Sequence, residues 1–390
     1  MKQLYYLRIA TGNLCLLGIT VLAVILIACS DMSELYQPYL DRGEVIYAAK
    51  VDSVVAHPGR NRIQFDLFVE SQRIKTVRIF WNDYKELSSG LIKYRDSSDV
   101  AIEGKGIFKK MLDNMDEKIY VFKLVSFDEF GNESLPTELS AYVYGSKYQA
   151  QLISRSLRST VIRMNGDVKI SWGIADGAYA SEVRYTDVSG NIKTQSFPID
   201  ETTSIITDLK INTGYEFRTV YKPDTTGIDS FFTDYETAEP PFGFDKTEWK
   251  VIDYSSQHSG DDNKATNVID GTDKTRWHAC ASGTCSSIYP HYVTIDMGVV
   301  RTITRFGASI SLKDAPLTGD NRAPDVIEFF VSTDNVNYTT LGGERNFNSL
   351  LIGEQIYDTP ETQARYFKFV AVSGGPETYT VMGELNAYGF

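Results

Sequence analysis

The most chemically specific segment of the chain is residues 267–278, which reads Asn-Val-Ile-Asp-Gly-Thr-Asp-Lys-Thr-Arg-Trp-His. It combines carboxylates, hydroxyls and a glycine in a short polar stretch. Calcium takes six to eight oxygen ligands, many of them backbone carbonyls, so a glycine-containing turn with a carboxylate and a hydroxyl can wrap this ion. The alternative is that the acids of this segment cap turns without a metal, as acids in turns commonly do.

Composition narrows the classes of function. The 390 residues include 39 Lys and Arg against 51 Asp and Glu, a formal charge of −12, and a nucleic-acid-binding protein would need a basic face. With 24 Tyr, 20 Phe and 29 Gly but only four His and four Cys, the chain is typical of β-rich exported proteins. The sequence contains no nucleophile elbow, no His-Glu-x-x-His and no phosphate-binding glycine loop. We therefore expect a protein that is not an enzyme, although two placed carboxylates would suffice for a glycosidase.

The N-terminus predicts export. Lys2 and Arg8 precede an apolar run over 14–28, and Ala28 stands before Cys29. The run is short for a membrane span, which needs about 20 apolar residues, so a cleavable signal is favoured over an uncleaved anchor.

Leu26-Ile27-Ala28-Cys29 resembles the bacterial lipoprotein box, which implies acylation of Cys29 and attachment to a lipid bilayer. The acidic residues that follow resemble the signal that sends Bacteroidetes lipoproteins to the cell surface. We expect an outer-membrane lipoprotein that faces the cell exterior, with a signal peptide over 1–28 and a tether over 29–45.

Two cysteines follow the 267–278 segment directly. Cys280 and Cys285 flank Ala-Ser-Gly-Thr, and such close spacing in an exported protein favours a disulfide. A second interpretation is a zinc site completed by His278 and His291, although the spacing is not that of a known zinc finger.

Short apolar runs between polar turns predict β-strands in the middle of the chain. The first set of predicted strands is 50–57, 62–69, 75–81, 118–127 and 138–144; the second is 167–172, 181–187, 192–197, 203–209 and 215–221. Their alternation and turn spacing predict two all-β sandwiches. Pro240 and Pro241 then interrupt the pattern and predict a linker over 237–243.

These two stretches resemble fibronectin type III modules, over 46–146 and 147–238. The 209–215 segment looks like the tyrosine corner of such modules, and Trp172 stands where they keep a core Trp. Together they also resemble a Bacteroidetes family of unknown function, number 4998, which brings no known activity. Two interpretations are open: a partner-binding surface, or a spacer that holds the last domain away from the membrane. The spacer is favoured, because sandwich domains of this kind are fold-level scaffolds.

The last part of the chain, 244–390, resembles the discoidin family, also called coagulation factor 5/8 type C, and family 32 carbohydrate-binding modules. The resemblance rests on 267–278 and on four further stretches in the same order, which are 291–298, 327–334, 364–369 and 383–388. It implies a jelly roll of two antiparallel sheets with ligand loops at one end. Trp277 is expected in the core, as large aromatics usually are.

The resemblance also implies a ligand set for calcium. The ligands would be the carbonyls of Asn267 and Thr272, the carbonyl and hydroxyl of Thr275, and the carboxylates of Asp270 and Glu384. Joining two distant segments in this way is a structural role for the ion.

Sugar recognition needs an aromatic face and a few oriented polar groups. Tyr379 falls where related modules carry a stacking aromatic residue, and His278 follows the signature Trp as in galactose-binding members. Asp261 and Arg322 lie on loops that can add a carboxylate and a guanidinium; Asp262 and Lys313 are their alternatives. Against this, His278 and Tyr379 are open to a packing role.

These observations predict a cell-surface lipoprotein that binds a glycan or polysaccharide, galactose-type sugars favoured, through its C-terminal module. The alternative is an adhesion or structural protein whose discoidin-like domain contacts a protein of an outer-membrane complex. No nucleic-acid partner is expected.

Overall fold

The computed structural model describes residues 46–279, 288–374 and 378–390. The predicted signal peptide, the tether, Cys29, Cys280 and Cys285 lie outside the described residues. Within them the fold is all-β, as predicted, and no helix is long and apolar enough to cross a membrane. The chain divides at Tyr144 and Gly145 into two compact units.

The first unit is a sandwich of two antiparallel sheets with strand orders β1-β2-β5 and β4-β3-β6-β7. Its strands are β1 (Ser53–Pro58), β2 (Ile63–Val69), β3 (Ile74–Lys85), β4 (Ile92–Ala101), β5 (Gly106–Leu112), β6 (Lys118–Asp128) and β7 (Thr137–Val143). In β2 apolar and polar residues alternate from Ile63 to Leu67, so one face of the strand packs on the core and every second side chain from Ile63 to Val69 is buried. Phe65 and Phe122 from the two sheets meet edge to face, with ring centroids 4.8 Å apart.

The second unit contains a second sandwich and the jelly roll. It begins with α1 (Ser146–Gln149), followed by β8 (Leu157–Ile162), β9 (Val168–Trp172), β10 (Ala178–Thr186), β11 (Ile192–Pro198), β12 (Thr203–Ile206), the 3-10 helix η1 (Ile211–Thr213), β13 (Tyr215–Tyr221), β14 (Phe231–Phe232), β15 (Glu236–Ala238) and β16 (Phe242–Phe244). The jelly roll continues with β17 (Lys250–Tyr254), η2 (Asp261–Asn263), η3 (Ala265–Ile269), β18 (Trp277–His278), β19 (His291–Ser309), β20 (Pro324–Ser332), β21 (Thr339–Thr340), β22 (Arg345–Asn346), β23 (Glu354–Gly374), β24 (Val381–Met382) and β25 (Glu384–Gly389).

Arg155 is buried in the second sandwich although it is charged, and it is only 2% exposed. Its guanidinium donates to the carbonyls of Gly173 (2.7 Å) and Glu201 (2.8 Å) and to the hydroxyl of Ser181 (3.1 Å). Burial lowers the pKa of this guanidinium. One side chain thereby ties together the segments around β9, β10 and β12.

The expected tyrosine corner takes a different form from that of the resembling modules. The Tyr215 hydroxyl shares a hydrogen bond of 2.5 Å with the hydroxyl of Thr160 on β8. Trp172 is buried, as predicted, and its indole N–H donates to Ser204 at 2.9 Å.

The prediction of a linker over 237–243 is wrong. β15 pairs with β13, and β16 pairs in parallel with β8 and antiparallel with β25. β16 therefore joins the second sandwich to the jelly roll in one continuous sheet, whose order is β12-β9-β8-β16-β25-β19-β23-β20-β21. The two prolines precede the strand and so remove none of its backbone donors.

Gly389 is required at this junction. A Cβ there would collide with the carbonyl oxygen of Thr302 and would lie 3.1 Å from the Phe244 ring. Only glycine lets the end of β25 approach β16 and β19 this closely.

The core of the jelly roll supports one end of the domain, and the polar loops lie at this end. β19 and β23 are its longest strands, and the register of their pairing shifts twice, so they bend across the core. Phe306 of β19 and Phe329 of β20 stack in the core with ring centroids 4.3 Å apart. Trp277 is fully buried, as predicted, and its indole N–H donates to the carbonyl of Ser256 at 2.9 Å.

We predict that Arg155→Met destabilises the protein by about 3 kcal/mol, because the buried carbonyl of Gly173 and the carbonyl of Glu201 lose their charged donor. Urea unfolding of the full chain measures this. Arg158→Met is the matched control, since Arg158 is exposed on the adjacent strand β8. Equal stability of the two variants would contradict the role assigned to Arg155.

Candidate functional site

His278, Tyr379 and Arg322, which the sequence predicted to bind ligand, lie together at one end of the jelly roll. The rings of His278 and Tyr379 stack, with centroids 4.9 Å apart and planes 18° apart. Nη1 of Arg322 is 3.3 Å from Nε2 of His278. We call these three residues the aromatic–arginine cluster.

The contacts of His278 define its tautomer. Nδ1 lies 2.6 Å from the carbonyl oxygen of Ala279, which can only accept, so Nδ1 carries the proton. Nε2 is then the acceptor for the Arg322 guanidinium. Burial lowers the pKa of the His278 imidazole, and the charges of Arg322 and Arg276 lower it further. His278 is therefore neutral at physiological pH.

Arg322 is held in place by Asp320. Nε donates to one carboxylate oxygen at 2.7 Å and Nη2 to the other at 2.5 Å, a bidentate pair. This hydrogen bonding raises the pKa of the guanidinium, and the Tyr379 hydroxyl contacts it as well. Burial pushes the pKa of Asp320 upward, but hydrogen bonds from Arg322 outweigh this and lower it. The guanidinium has five N–H donors, of which three are engaged by Asp320 and His278.

The other predicted ligand-binding residues have different partners. The Asp261 side chain is 91% exposed and pairs with Lys264 at 2.6 Å. The two alternatives, Asp262 and Lys313, pair with one another at 2.8 Å. The described contacts therefore place neither acid against His278.

Two neighbours of the cluster were not predicted. The His258 ring lies 5.3 Å from that of His278, and Asp320 supports Arg322. Asp320 could have been found from its spacing to Arg322, since a carboxylate two residues away in a loop can reach a guanidinium. His258 lies in a polar serine-rich stretch that offers no such signal.

Three of the residues predicted as calcium ligands also lie together. The Thr275 hydroxyl donates to Asp270 Oδ2 at 2.7 Å and lies 3.3 Å from the carbonyl of Thr272. Asn267 uses its amide to donate to the carbonyls of Asp261 and Arg276.

Glu384, the predicted ligand from the far end of the chain, already has a cation beside it. The Lys246 ammonium donates to Oε1 of Glu384 and, at 3.0 Å, to the carbonyl of Leu385. The backbone N–H of Gly271 donates to the same Oε1 at 3.1 Å. Burial lowers the pKa of Lys246 to about 8, while the charges of Glu354 and Asp270 act in the opposite direction.

As positioned, these residues do not fit calcium. An ion on Glu384 would have to share that carboxylate with an ammonium group. The calcium hypothesis thus stays a prediction, and its test is given below. Among the described residues no group of three His, Cys, Asp or Glu side chains is placed to hold a metal.

The two cysteines of the zinc interpretation lie outside the described residues. Its two histidines each direct a ring nitrogen at a backbone carbonyl. Nδ1 of His278 contacts Ala279, and Nε2 of His291 lies 2.9 Å from the carbonyl of Thr378.

Comparison with known families identifies both halves of the chain. Residues 29–231 match the model of DUF4998, a domain of unknown function, and residues 251–385 match the F5/8 type C domain. The first match covers more than half of the chain, so the protein belongs to the DUF4998 family and carries an F5/8 type C domain after it, as the sequence predicted.

Individual relatives match part of the chain. A sialidase of Micromonospora viridifaciens is 28% identical over 151 residues, which are 37% of this chain and 22% of the sialidase. The chain thus spans about a fifth of that protein's length. Among solved structures, the C-terminal domain of a Bacteroides fragilis chitobiase is 25% identical, with 38% of this chain and 97% of that one covered and a TM-score of 0.34. A family 32 carbohydrate-binding module of Clostridium perfringens, solved with galactose, is 20% identical, with 37% and 97% covered and a TM-score of 0.31.

We predict that the His278 imidazole titrates below the ordinary histidine value of 6.5, because burial and Arg322 disfavour its charged form. The unfolded chain takes up this proton first, so stability falls as the pH drops below about 6.5 and until it reaches the folded-state pKa. NMR titration of the ring measures the midpoint, and urea unfolding between pH 5 and 8 measures the stability.

His278→Asn is the control for this prediction, because it removes the titrating group and should flatten that part of the stability profile. A midpoint at or above 6.5 for His278 would contradict the environment described.

Proposed function

We propose that the protein binds glycans at the aromatic–arginine cluster. The observation that carries the proposal is the stacked pair His278–Tyr379 with Arg322 fixed beside it by Asp320. The Tyr379 ring is half-buried, so part of it remains open to the apolar face of a sugar ring. The Arg322 guanidinium is an oriented donor group for sugar hydroxyls.

The rigidity of the cluster supports binding of a small polar ligand. Arg322 is a long side chain, and ordering it on binding would cost conformational entropy. The bidentate pair with Asp320 and the bond to His278 hold it before any ligand arrives. Less free energy is then lost on association.

Galactose and N-acetylgalactosamine are the sugars we propose first. The proposal rests on the resemblance of the 267–278 segment to galactose-binding modules, in which a His follows the signature Trp. We propose that the protein binds such sugars without cleaving them.

The glycan proposal predicts binding of methyl β-galactoside or N-acetylgalactosamine to the full chain in isothermal titration. Tyr379→Ala and His278→Ala should each abolish measurable binding, since one removes the stacking face and the other the acceptor that orients Arg322. Arg322→Met should weaken binding at least tenfold through the loss of charged hydrogen bonds.

Tyr254→Ala is the matched control, because Tyr254 is an exposed tyrosine on β17 of the same domain. Binding that survives the changes at Tyr379 and His278 would remove the site assignment. A folded protein that binds no sugar on a glycan array, yet captures one stoichiometric protein despite excess sugar, would favour the alternative of an outer-membrane protein partner.

We propose further that Cys29 is acylated and attaches the protein to the outer membrane on the cell exterior. This rests on the apolar run, the small Ala28 and the lipoprotein box. The F5/8 type C domain would then be presented outside the cell, where polymeric glycans are found.

Cys29→Ala should move the protein from the membrane fraction to a soluble one and abolish incorporation of labelled palmitate. Ser30→Ala is the matched control and should leave both unchanged. Protease treatment of intact cells should remove the domain if it faces outward. Membrane attachment that persists in Cys29→Ala would contradict acylation.

A further inference from the structure

The Lys246 ammonium is buried where the second sandwich meets the jelly roll. Lys246 lies two residues after β16, and its side chain is 16% exposed, against 7% for its partner Glu384. Both residues line a cavity of about 890 Å³ at this junction, together with Asp270 and Lys169.

The ammonium meets backbone and side-chain acceptors from the last strand of the chain. It donates to Oε1 of Glu384 and to the carbonyl of Leu385, while Gly271 donates to that same Oε1. Oε1 of Glu384 thus accepts from both the ammonium of the segment after β16 and the turn at 270–271, and the cation neutralises the carboxylate that joins this turn to the start of β25. Pinning the turn to β25 is the structural role that the sequence assigned to calcium.

Glu384 shows why a cation is needed there. Its second oxygen, Oε2, is buried and has no hydrogen-bond partner among the described residues. A buried carboxylate with so few donors is costly unless an opposite charge lies beside it. Lys246 supplies this charge.

A divalent ion and Lys246 compete for the same carboxylate. Calcium needs six to eight oxygens at about 2.3 to 2.6 Å. With two positive charges, it would repel an ammonium beside it twice as strongly as a monovalent cation at the same distance would. The neighbouring oxygens are also engaged, since Asp270 Oδ2 accepts from Thr275 and the Thr275 carbonyl accepts from Ser311 at 2.9 Å.

We propose that Lys246 serves as the built-in cation of this site in place of calcium, so that the joint between the 270–275 turn and β25 does not depend on a metal. The lysine comes from the segment that joins the two sandwiches. The same contact therefore also anchors the jelly roll to the strand that pairs with β8.

The test is a calcium titration of the full chain after treatment with chelator, followed by thermal unfolding with and without calcium. The native protein should show no calcium binding up to about 1 mM, and its unfolding temperature should be equal in calcium and in chelator. Lys246→Met should lower the unfolding temperature by roughly 6 to 20 °C, because Glu384 loses its counter-charge. Calcium should then restore part of the loss, since the Glu384 carboxylate no longer has an ammonium beside it and Oε1 is released.

Lys169→Met is the matched control. Lys169 lines the same cavity from β9 and makes no described contact with Glu384. Its unfolding temperature should change by less than a quarter of the shift seen for Lys246→Met.

Stoichiometric calcium binding to the native protein, with a higher unfolding temperature, would overturn the proposal, as would a Lys246→Met variant as stable as Lys169→Met. If Lys246→Met fails to fold, the calcium titration of the native protein still decides. These readouts do not involve sugar, so the glycan proposal stands or falls separately.

Discussion

The structure of the second unit depends on the backbone pairing of three residues, Phe242–Phe244. This short strand satisfies its N–H and C=O groups on both sides, against β8 of the second sandwich and β25 of the jelly roll. One hydrophobic core runs through the junction, from Trp172 in the sandwich to Phe306 in the jelly roll. The second sandwich is therefore not joined to the jelly roll by a flexible linker. It extends the sheet of the domain that carries the candidate site.

This pairing also determines the electrostatics beside it. The chain leaves β16 close to the start of β25, so the next long side chain, Lys246, reaches Glu384. In the cluster proposed to bind glycans, a charged side chain is likewise held by neighbouring polar groups. Arg322 is bound by Asp320 and by a neutral His278, so each charged group of the site is held by a partner from a nearby loop. The Lys246–Glu384 pair and the contacts of Arg322 are both made by groups of the protein itself. They hold the loops in place without a ligand.

The strands that could be predicted are those with clear apolar alternation. The run 215–221 was predicted at its true bounds, because alternate buried residues and flanking turns mark both ends. The strand Ile92–Ala101 has no prediction, since its central residues are polar and it lies largely exposed. The strand Leu157–Ile162 was missed as well, because a short run with few apolar residues resembles a loop. The strand after Pro240 and Pro241 was read as a linker from its prolines, and only its two neighbours make it a strand.

The sequence by itself determined the all-β class, because this follows from local apolar periodicity, and its resemblance to known families predicted the order of the modules and the candidate residues His278, Tyr379 and Arg322. Tertiary structure alone decided that His258 joins that cluster, and that Lys246 faces Glu384. The physical reason is that hydrogen bonds and ion pairs between residues distant in the chain depend on which strand ends meet, as Lys246 and Glu384 do across 138 residues. A sequence shows which charges exist, but the pairing of backbone edges decides which of them come together.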